Sequence, residues 1–355
     1  MIRRTRYLRW AVEHVGSEYD LASSGIRPFA EGELPPPEGP ADVRAYGALV
    51  TAIARYNGIP EESVVPTLGA SHALFVAMSA LLEPGDDALV ETPAYEPLVA
   101  IPELLGARVV HFERRESARY TLEPERIAEA ITRRTRVIVV SNHHNPTGAF
   151  TPPELLAEVA ALAASRGAVL LVDEVYAPFS TFGVKSGAFG SAIHVGQNVV
   201  CVSSLTKCWG AGPHRVGWVL AEEPIAERCK DHLLTTLGHL PVGHAALGAH
   251  LFKHLPLLTE RARRGLDARR ERVAAWMASR PDLSWSAPEH GLFGLAISRR
   301  AGDLLSLIEL GQREHDVLVV PGSFFGIPNG FRLAWSLPDD KLEPALARLA
   351  TVLPG

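Results

Sequence analysis

Six short apolar runs, rich in β-branched residues and separated by amphipathic stretches, constrain this chain more than any other feature. They are Ala88-Leu89-Val90, Val109-Val110-His111-Phe112, Val137-Ile138-Val139-Val140, Val169-Leu170-Leu171-Val172, Val199-Val200-Cys201-Val202 and Val216-Gly217-Trp218-Val219-Leu220. A strand covered on one face alternates apolar and polar residues, whereas an unbroken apolar run needs cover on both faces. Helical patterns at 72–82, 125–131 and 153–165 lie between the runs and supply that cover. Strand–helix alternation over about 150 residues predicts an α/β fold with a doubly wound, mostly parallel sheet. The 355 residues leave room for a second, smaller unit.

Residues 1–40 read as irregular, because Pro35-Pro36-Pro37 and Gly39-Pro40 can neither continue a helix nor sit in a central strand. They are expected to form an arm that crosses from one part of the molecule to another and partly joins the small domain. A helix at 42–56 follows and stops at Asn57-Gly58. Residues 222–279 read as long and helical, with the arginines between Arg261 and Arg272 on a solvated helix face. The expected division is a large domain over 41–250 and a smaller α+β domain over 251–355.

Lys plus Arg total 35 against 40 for Asp plus Glu, a net charge of −5, so no general attraction to nucleic acid or to an anionic membrane is expected. No helix-turn-helix segment or basic recognition helix precedes the sheet pattern, which disfavours a DNA-binding regulator. The three cysteines, Cys201, Cys208 and Cys229, form no CxxC pair and no disulfide framework, and a reducing cytoplasm is the expected setting. No apolar run approaches the roughly 18 residues of a membrane span. The basic start, Met1 to Arg6, is followed by no long apolar stretch, so no signal peptide is expected. His143 and His144 have no carboxylate or cysteine at ligand spacing beside them, and no metal is expected.

In an open parallel sheet, ligands bind beyond the carboxyl ends of the strands. The polar residues that follow the apolar runs are Ser141-Asn142-His143-His144-Asn145-Pro146-Thr147-Gly148, Asp173-Glu174-Val175-Tyr176 and Ser203-Ser204-Leu205-Thr206-Lys207. Singly these are a turn, a helix cap and a surface lysine. In this order, with Arg215-Val216-Gly217 and Phe331-Arg332-Leu333 further on, the chain resembles the class I/II aminotransferases of the aspartate-aminotransferase type. These are fold type I enzymes that depend on pyridoxal 5′-phosphate, and the resemblance runs from about residue 20 to the last residues.

The resemblance implies roles residue by residue. Lys207 forms the Schiff base with the cofactor aldehyde and, once substrate displaces it, moves a proton at the substrate Cα as base and then acid. Asp173 keeps the pyridine nitrogen protonated, so that the ring draws off the electron pair left on Cα. Asn145 and Tyr176 donate to the cofactor's phenolic oxygen. Gly69-Ala70-Ser71, at the opening of a helix, holds the phosphate together with Ser204 and Arg215. Tyr95 stacks on the ring. Arg332 grips the substrate α-carboxylate with a planar fork that lysine lacks, and Gly25 and Asn145 lie on the same substrate side. The implied activity is transfer of an amino group from an amino acid to a 2-oxo acid, by a homodimer with its sites at the interface. A lyase or cyclase on the same scaffold, capreomycidine-synthase-like or C–S-lyase-like, would share Lys207, Asp173 and Arg332.

The match departs from the family pattern at three places. Leu34-Pro35-Pro36-Pro37-Glu38-Gly39-Pro40 replaces a Tyr-Gly-Pro-like stretch, so the tyrosine that reaches the neighbouring subunit's phosphate is unassigned, and Tyr46 lies further into the helix. The loop Leu21-Ala22-Ser23-Ser24-Gly25-Ile26-Arg27-Pro28 is longer than the usual Leu-x-x-Gly-x-Pro form. Its Ser-Ser-Gly is similar to the capreomycidine-synthase-like branch, and its Arg27 is a candidate for a second substrate carboxylate. His290 stands where glycine is usual and reads as a loop residue.

Overall fold

The computed structural model describes residues 5–30, 32–37, 39, 41–181, 190–299 and 302–353. All six apolar runs are strands of one seven-stranded sheet. Its members are β1 (Val64–Leu68), β2 (Asp87–Thr92), β3 (Arg108–Glu113), β4 (Thr135–Ser141), β5 (Val169–Asp173), β6 (Val199–Ser204) and β7 (Val216–Leu220). They lie in the order β1-β7-β6-β5-β4-β2-β3. Val137 to Val140 are each fully buried. Val137 and Val139 pack into one hydrophobic cluster and Ile138 and Val140 into the other, which is the two-sided cover that the runs require.

Two features were not read from the runs. β1 carries Pro66, whose missing N–H argues against a central strand. It lies at the sheet edge, with Pro66 opposite Trp218 of β7. β7 runs antiparallel to both β6 and β1, while the other pairings are parallel. The link from Ser204 to Val216 is too short for a crossover helix, so the chain must turn straight back. That return puts Arg215 at the same edge of the sheet as Lys207.

The helices that matter for the site are α1 (Arg6–Glu13), α2 (Ala45–Asn57), α3 (Ala70–Leu81) and α4 (Glu96–Leu104). Helix α1 differs from the irregular arm expected for the first 40 residues. It forms because Tyr7 and Trp10 are buried and because the Glu96 carboxylate accepts from the N–H groups of Arg6 (2.6 Å) and Leu8 (3.1 Å). A carboxylate from another helix thus satisfies two otherwise unpaired donors at the α1 N-terminus. Further on, Tyr19–Asp20 pairs in parallel with Val317–Leu318.

The stretch 222–279 is not one helix but four: Glu223–Leu237, Val242–Lys253, Leu255–Arg263 and Leu266–Ala278. Gly238 and Gly265 mark two of the breaks with φ of 73° and 71°. Nor is the arginine run a purely solvated face. Arg261 donates to the carbonyls of Arg27 and Pro28 and pairs with Glu33, so it holds the arm. Arg269 is buried and donates to the carbonyls of Trp335 and Arg264. Beyond lies an antiparallel sheet of β8 (Leu283–Trp285), β9 (Phe293–Ser298), β10 (Val320–Pro321) and β11 (Gly330–Ala334), in the order β10-β11-β9-β8.

Candidate active site

The ladder sets what meets at the sheet's carboxyl edge. Ser141 pairs with Asp173 in register, Ser204 with Gly217 and Leu68 with Val216. The residues that follow these positions therefore rim one crevice. A cavity with about 590 Å³ of empty space lies there, lined by Ala70, Ser71, Tyr95, Ser141, Asn145, Asp173, Tyr176, Ser204, Lys207 and Arg215 among others.

Gly69 has a φ of 83°, and a Cβ on it would come within 2.7 Å of Arg215 Nη2. A Cβ on Gly217 would meet the Gly69 carbonyl carbon at 2.4 Å. Two glycines thus let two backbone segments touch, and they hold the Arg215 guanidinium against the N-terminus of α3. Free N–H groups, a helix dipole and a planar cation in one place form an anion cradle.

Asp173 ends β5. Its Oδ1 accepts from Val175 N–H at 3.3 Å, the carboxylate's one hydrogen bond among the described residues. Burial pushes this carboxyl up to about 7, with the nearby Glu91 charge adding to the rise and Lys207 opposing it. Lys207 donates from Nζ to Ser24 Oγ at 3.1 Å. Burial pulls its ammonium down to about 8, the positive charges of Arg332 and Arg215 help, and Asp173 opposes. The Tyr176 hydroxyl also meets Ser24 Oγ, at 3.0 Å, and burial raises its pKa. Tyr95 precedes α4 and lines the cavity. Burial raises its hydroxyl, and its ring meets the Tyr7 ring edge-on at 5.9 Å.

Arg332 sits on β11, 1% exposed. It donates to Asn145 Oδ1 (2.8 Å), the Ala22 carbonyl (2.9 Å) and the Tyr7 hydroxyl (3.1 Å). Its Nε is buried without a partner among the described residues, and the rings of Tyr7, Phe293 and Phe325 lie within 5.8 Å of its guanidinium. These partners are neutral, so among the described residues a buried cation stands beside Asn145 with its charge uncompensated by a direct ion pair. Gly25 packs against Lys207, where a Cβ would lie 3.4 Å from Lys207 Cδ.

A buried ion pair supports this floor from below. Glu91 meets Arg114 at 2.7 Å and accepts from Ser141 N–H (2.7 Å) and Oγ (2.6 Å), and Ser141 Oγ in turn accepts from Asn145 N–H at 3.1 Å. Neither Glu91 nor Arg114 stood out in the sequence, since a charge inside a strand pattern carries no mark of its partner. Ser24 and Tyr7 were likewise unassigned. The spacing of Tyr7 and Trp10, one helical turn apart, was the available signal for the second.

The remaining candidates fall outside the cavity. His144 bonds Thr147 Oγ1 and the Pro93 carbonyl, which makes it a turn residue. His143 is buried beside Phe150, and the His290 ring lies 6.1 Å from it. Arg27 has an exposed side chain and holds Arg261 through its carbonyl. Tyr46 is 40% exposed on α2.

A family profile for class I and II aminotransferases matches residues 40–349. The chain belongs to this family. It is 30% identical to capreomycidine synthase of Streptomyces vinaceus over 94% of this chain and 89% of that enzyme. It is 31% identical to an arginine–pyruvate transaminase of Pseudomonas aeruginosa over 87% of this chain and 81% of the other. The structure of a PLP-dependent aminotransferase from Streptococcus suis superposes with a TM-score of 0.89 at 25% identity, covering 99% of this chain and 98% of that one. This aminotransferase-family chain therefore has the fold type I architecture, and its cofactor is pyridoxal 5′-phosphate. The cavity suits that group. The Gly69–Arg215 cradle matches a phosphate, and the under-bonded buried carboxylate of Asp173 matches a protonated pyridine nitrogen.

Proposed function

We propose that this family member is an aminotransferase that moves an amino group from an amino acid to a 2-oxo acid. The observation that carries the reading is one cavity faced by both the Lys207 amine and the Asp173 carboxylate, with the Arg332–Asn145 pair at its side. Pyridoxal phosphate, when bound, supplies the electron sink that stabilises charge at Cα.

The chain's own residues do the rest. Arg215, Ser71, Ser204 and the backbone at Gly69 and Ala70 anchor the phosphate. Asp173 holds the ring nitrogen as a cation, and that cation in turn favours an ionised Asp173. Tyr95 covers a ring face, and Asn145 and Tyr176 serve the phenolic oxygen. Arg332, held by Asn145 and the Ala22 carbonyl, would fix the α-carboxylate and so orient the Cα bonds for reaction. Lys207 would hold the cofactor's aldehyde carbon, and as a free amine whose pKa burial lowers to about 8 it would both take and return the Cα proton.

The division into an arm over 1–40, a large domain over 41–250 and a small domain over 251–355 fits the two sheets, which span Val64 to Leu220 and Leu283 to Ala334. Exposed apolar side chains at Val43, Tyr46 and Val242 support a homodimer. The three cysteines are buried and unpaired, which suits a reducing compartment such as the cytoplasm. Among the described residues no helix is long and apolar enough to cross a membrane.

A second reading, an elimination or cyclisation at the same residues, is favoured by Ser24 beside Lys207 and by the similarity to capreomycidine synthase. Stopped-flow spectra with a panel of amino acids test the choice. Build-up of the amino form of the cofactor, reversed by a 2-oxo acid, supports transamination. Product release with no amino form supports the lyase or cyclase.

A further inference from the structure

The geometry points to Ser24 as a further catalytic residue, whose hydroxyl couples the amine of Lys207 to the phenol of Tyr176 in one hydrogen-bonded chain. The inference rests on the reading that Lys207 carries the cofactor. Ser24 is 5% exposed, 3.1 Å from Lys207 Nζ and 3.0 Å from Tyr176 Oη. An ammonium can donate and cannot accept, so toward the charged lysine Ser24 Oγ is an acceptor. The Tyr176 hydroxyl donates to the same oxygen, so Ser24's own proton is free for the cavity. The two bonds hold Nζ, Oγ and Oη in one chain, so the hydroxyl's acceptance stabilises the charged amine while Tyr176 fixes the hydroxyl's place.

Loop residues often lack the fixed position that such a role needs, but Ser24 does not. Leu21 N–H donates to the Leu318 carbonyl (2.8 Å), and Ala334 N–H donates to the Leu21 carbonyl (2.8 Å). Asp20 Oδ1 accepts from the N–H groups of Ala22 (2.8 Å) and Ser23 (3.0 Å). Arg332 grips the Ala22 carbonyl, and Ile26 N–H donates to the carbonyl of Lys207 itself at 2.8 Å. The hydroxyl is thus pinned between the α-carboxylate arginine and the lysine.

Four charged or titratable groups besides Ser24's partner Tyr176 act on Lys207: Arg332 and Arg215 lower its proton affinity, Asp173 and Cys208 raise it, and burial outweighs them. An acceptor on Nζ favours the charged form, so removing it lowers the amine's proton affinity further. The test measures the rate at which the cofactor-stripped full chain captures pyridoxal phosphate as a function of pH, by borohydride trapping and peptide mass mapping. For Ser24→Ala the midpoint for capture at Lys207 is expected to fall by about threefold to tenfold in proton affinity. Ser24→Thr, which keeps the hydroxyl, is expected to follow the unsubstituted chain, and the kcat of its holoenzyme should recover where that of Ser24→Ala drops.

A Ser24→Ala midpoint equal to that of the unsubstituted chain overturns the coupling. Equal shifts in Ala and Thr overturn it too, since packing rather than the hydroxyl would then be responsible. An adduct away from Lys207 in the unsubstituted chain is a different failure, that of the cofactor-lysine reading.

Discussion

Asp173, Asn145 and Ser204 stand at or just beyond the ends of strands that are held in register by their neighbours, whereas Ser24 and Tyr7 reach Lys207 and Arg332 from a segment with one two-residue strand. On the sheet side, position follows from the ladder, and the Glu91–Arg114 pair locks the loop after β4 from beneath. On the arm side, position follows from single long-range bonds: Glu96 to the start of α1, Arg332 to Ala22 and to Tyr7, Lys207 to Ser24. The comparison teaches that one wall is built into the core and the other is strapped on. Substitutions in the buried support beneath the first should cost folding stability, and substitutions on the second should alter chemistry while the fold holds.

The largest effect is expected at Lys207. Lys207→Ala removes the acid–base group and the cofactor's attachment, and turnover should fall by at least about a thousandfold with an unchanged far-ultraviolet spectrum. Next comes the hidden pair. Arg114→Leu leaves Glu91 buried and unpaired, which should cost about 3–5 kcal/mol in urea unfolding, far more than any single change on the arm. Arg332→Ala should then raise the KM for amino acids by about thirtyfold or more, with little change for amines that lack a carboxylate, and lysine should restore only part of the loss.

The pH dependence of cofactor capture is a milder test of the same wall. The ordinary lysine value of 10.5 is lowered to about 8 here, so the ammonium persists below that pH and only the neutral amine attacks. The rate of capture should therefore fall by about tenfold per pH unit below 8 and level off above it. The smallest effect is expected for Tyr7→Phe, which deletes one hydrogen bond to a buried guanidinium. A threefold to tenfold rise in KM, roughly, with stability within about 1 kcal/mol, would keep the distinction between the two walls. A loss of stability comparable to that of Arg114→Leu would erase it.

The sheet wall was legible because its signals are local. Unbroken apolar runs mark buried strands, and the polar residues after them mark the binding edge, so Asp173, Tyr176, Ser204 and Lys207 could be placed from order and spacing. The helix at Pro153–Ser165 was bounded correctly by its proline start and apolar period. What stayed hidden depends on partners far away in the chain. Helix α1 has a weak local signal and is completed by Glu96. Arg261 and Arg269 look solvated until the backbone carbonyls they bind are known. Glu91 and Arg114 meet across neighbouring strands, and β1 is masked by its own proline, which an edge strand tolerates. Ser24 was visible as part of an altered loop, but its contact with Lys207 is made only when the arm crosses the small sheet.

The account's central claim is that Lys207, across one cavity from Asp173, is the residue joined to pyridoxal phosphate. Borohydride reduction of the cofactor-loaded protein, followed by peptide mass mapping, tests it directly. The predicted result is one pyridoxyl group per chain, on Lys207. An adduct on a different lysine, or none on protein shown to hold the cofactor, would contradict the account.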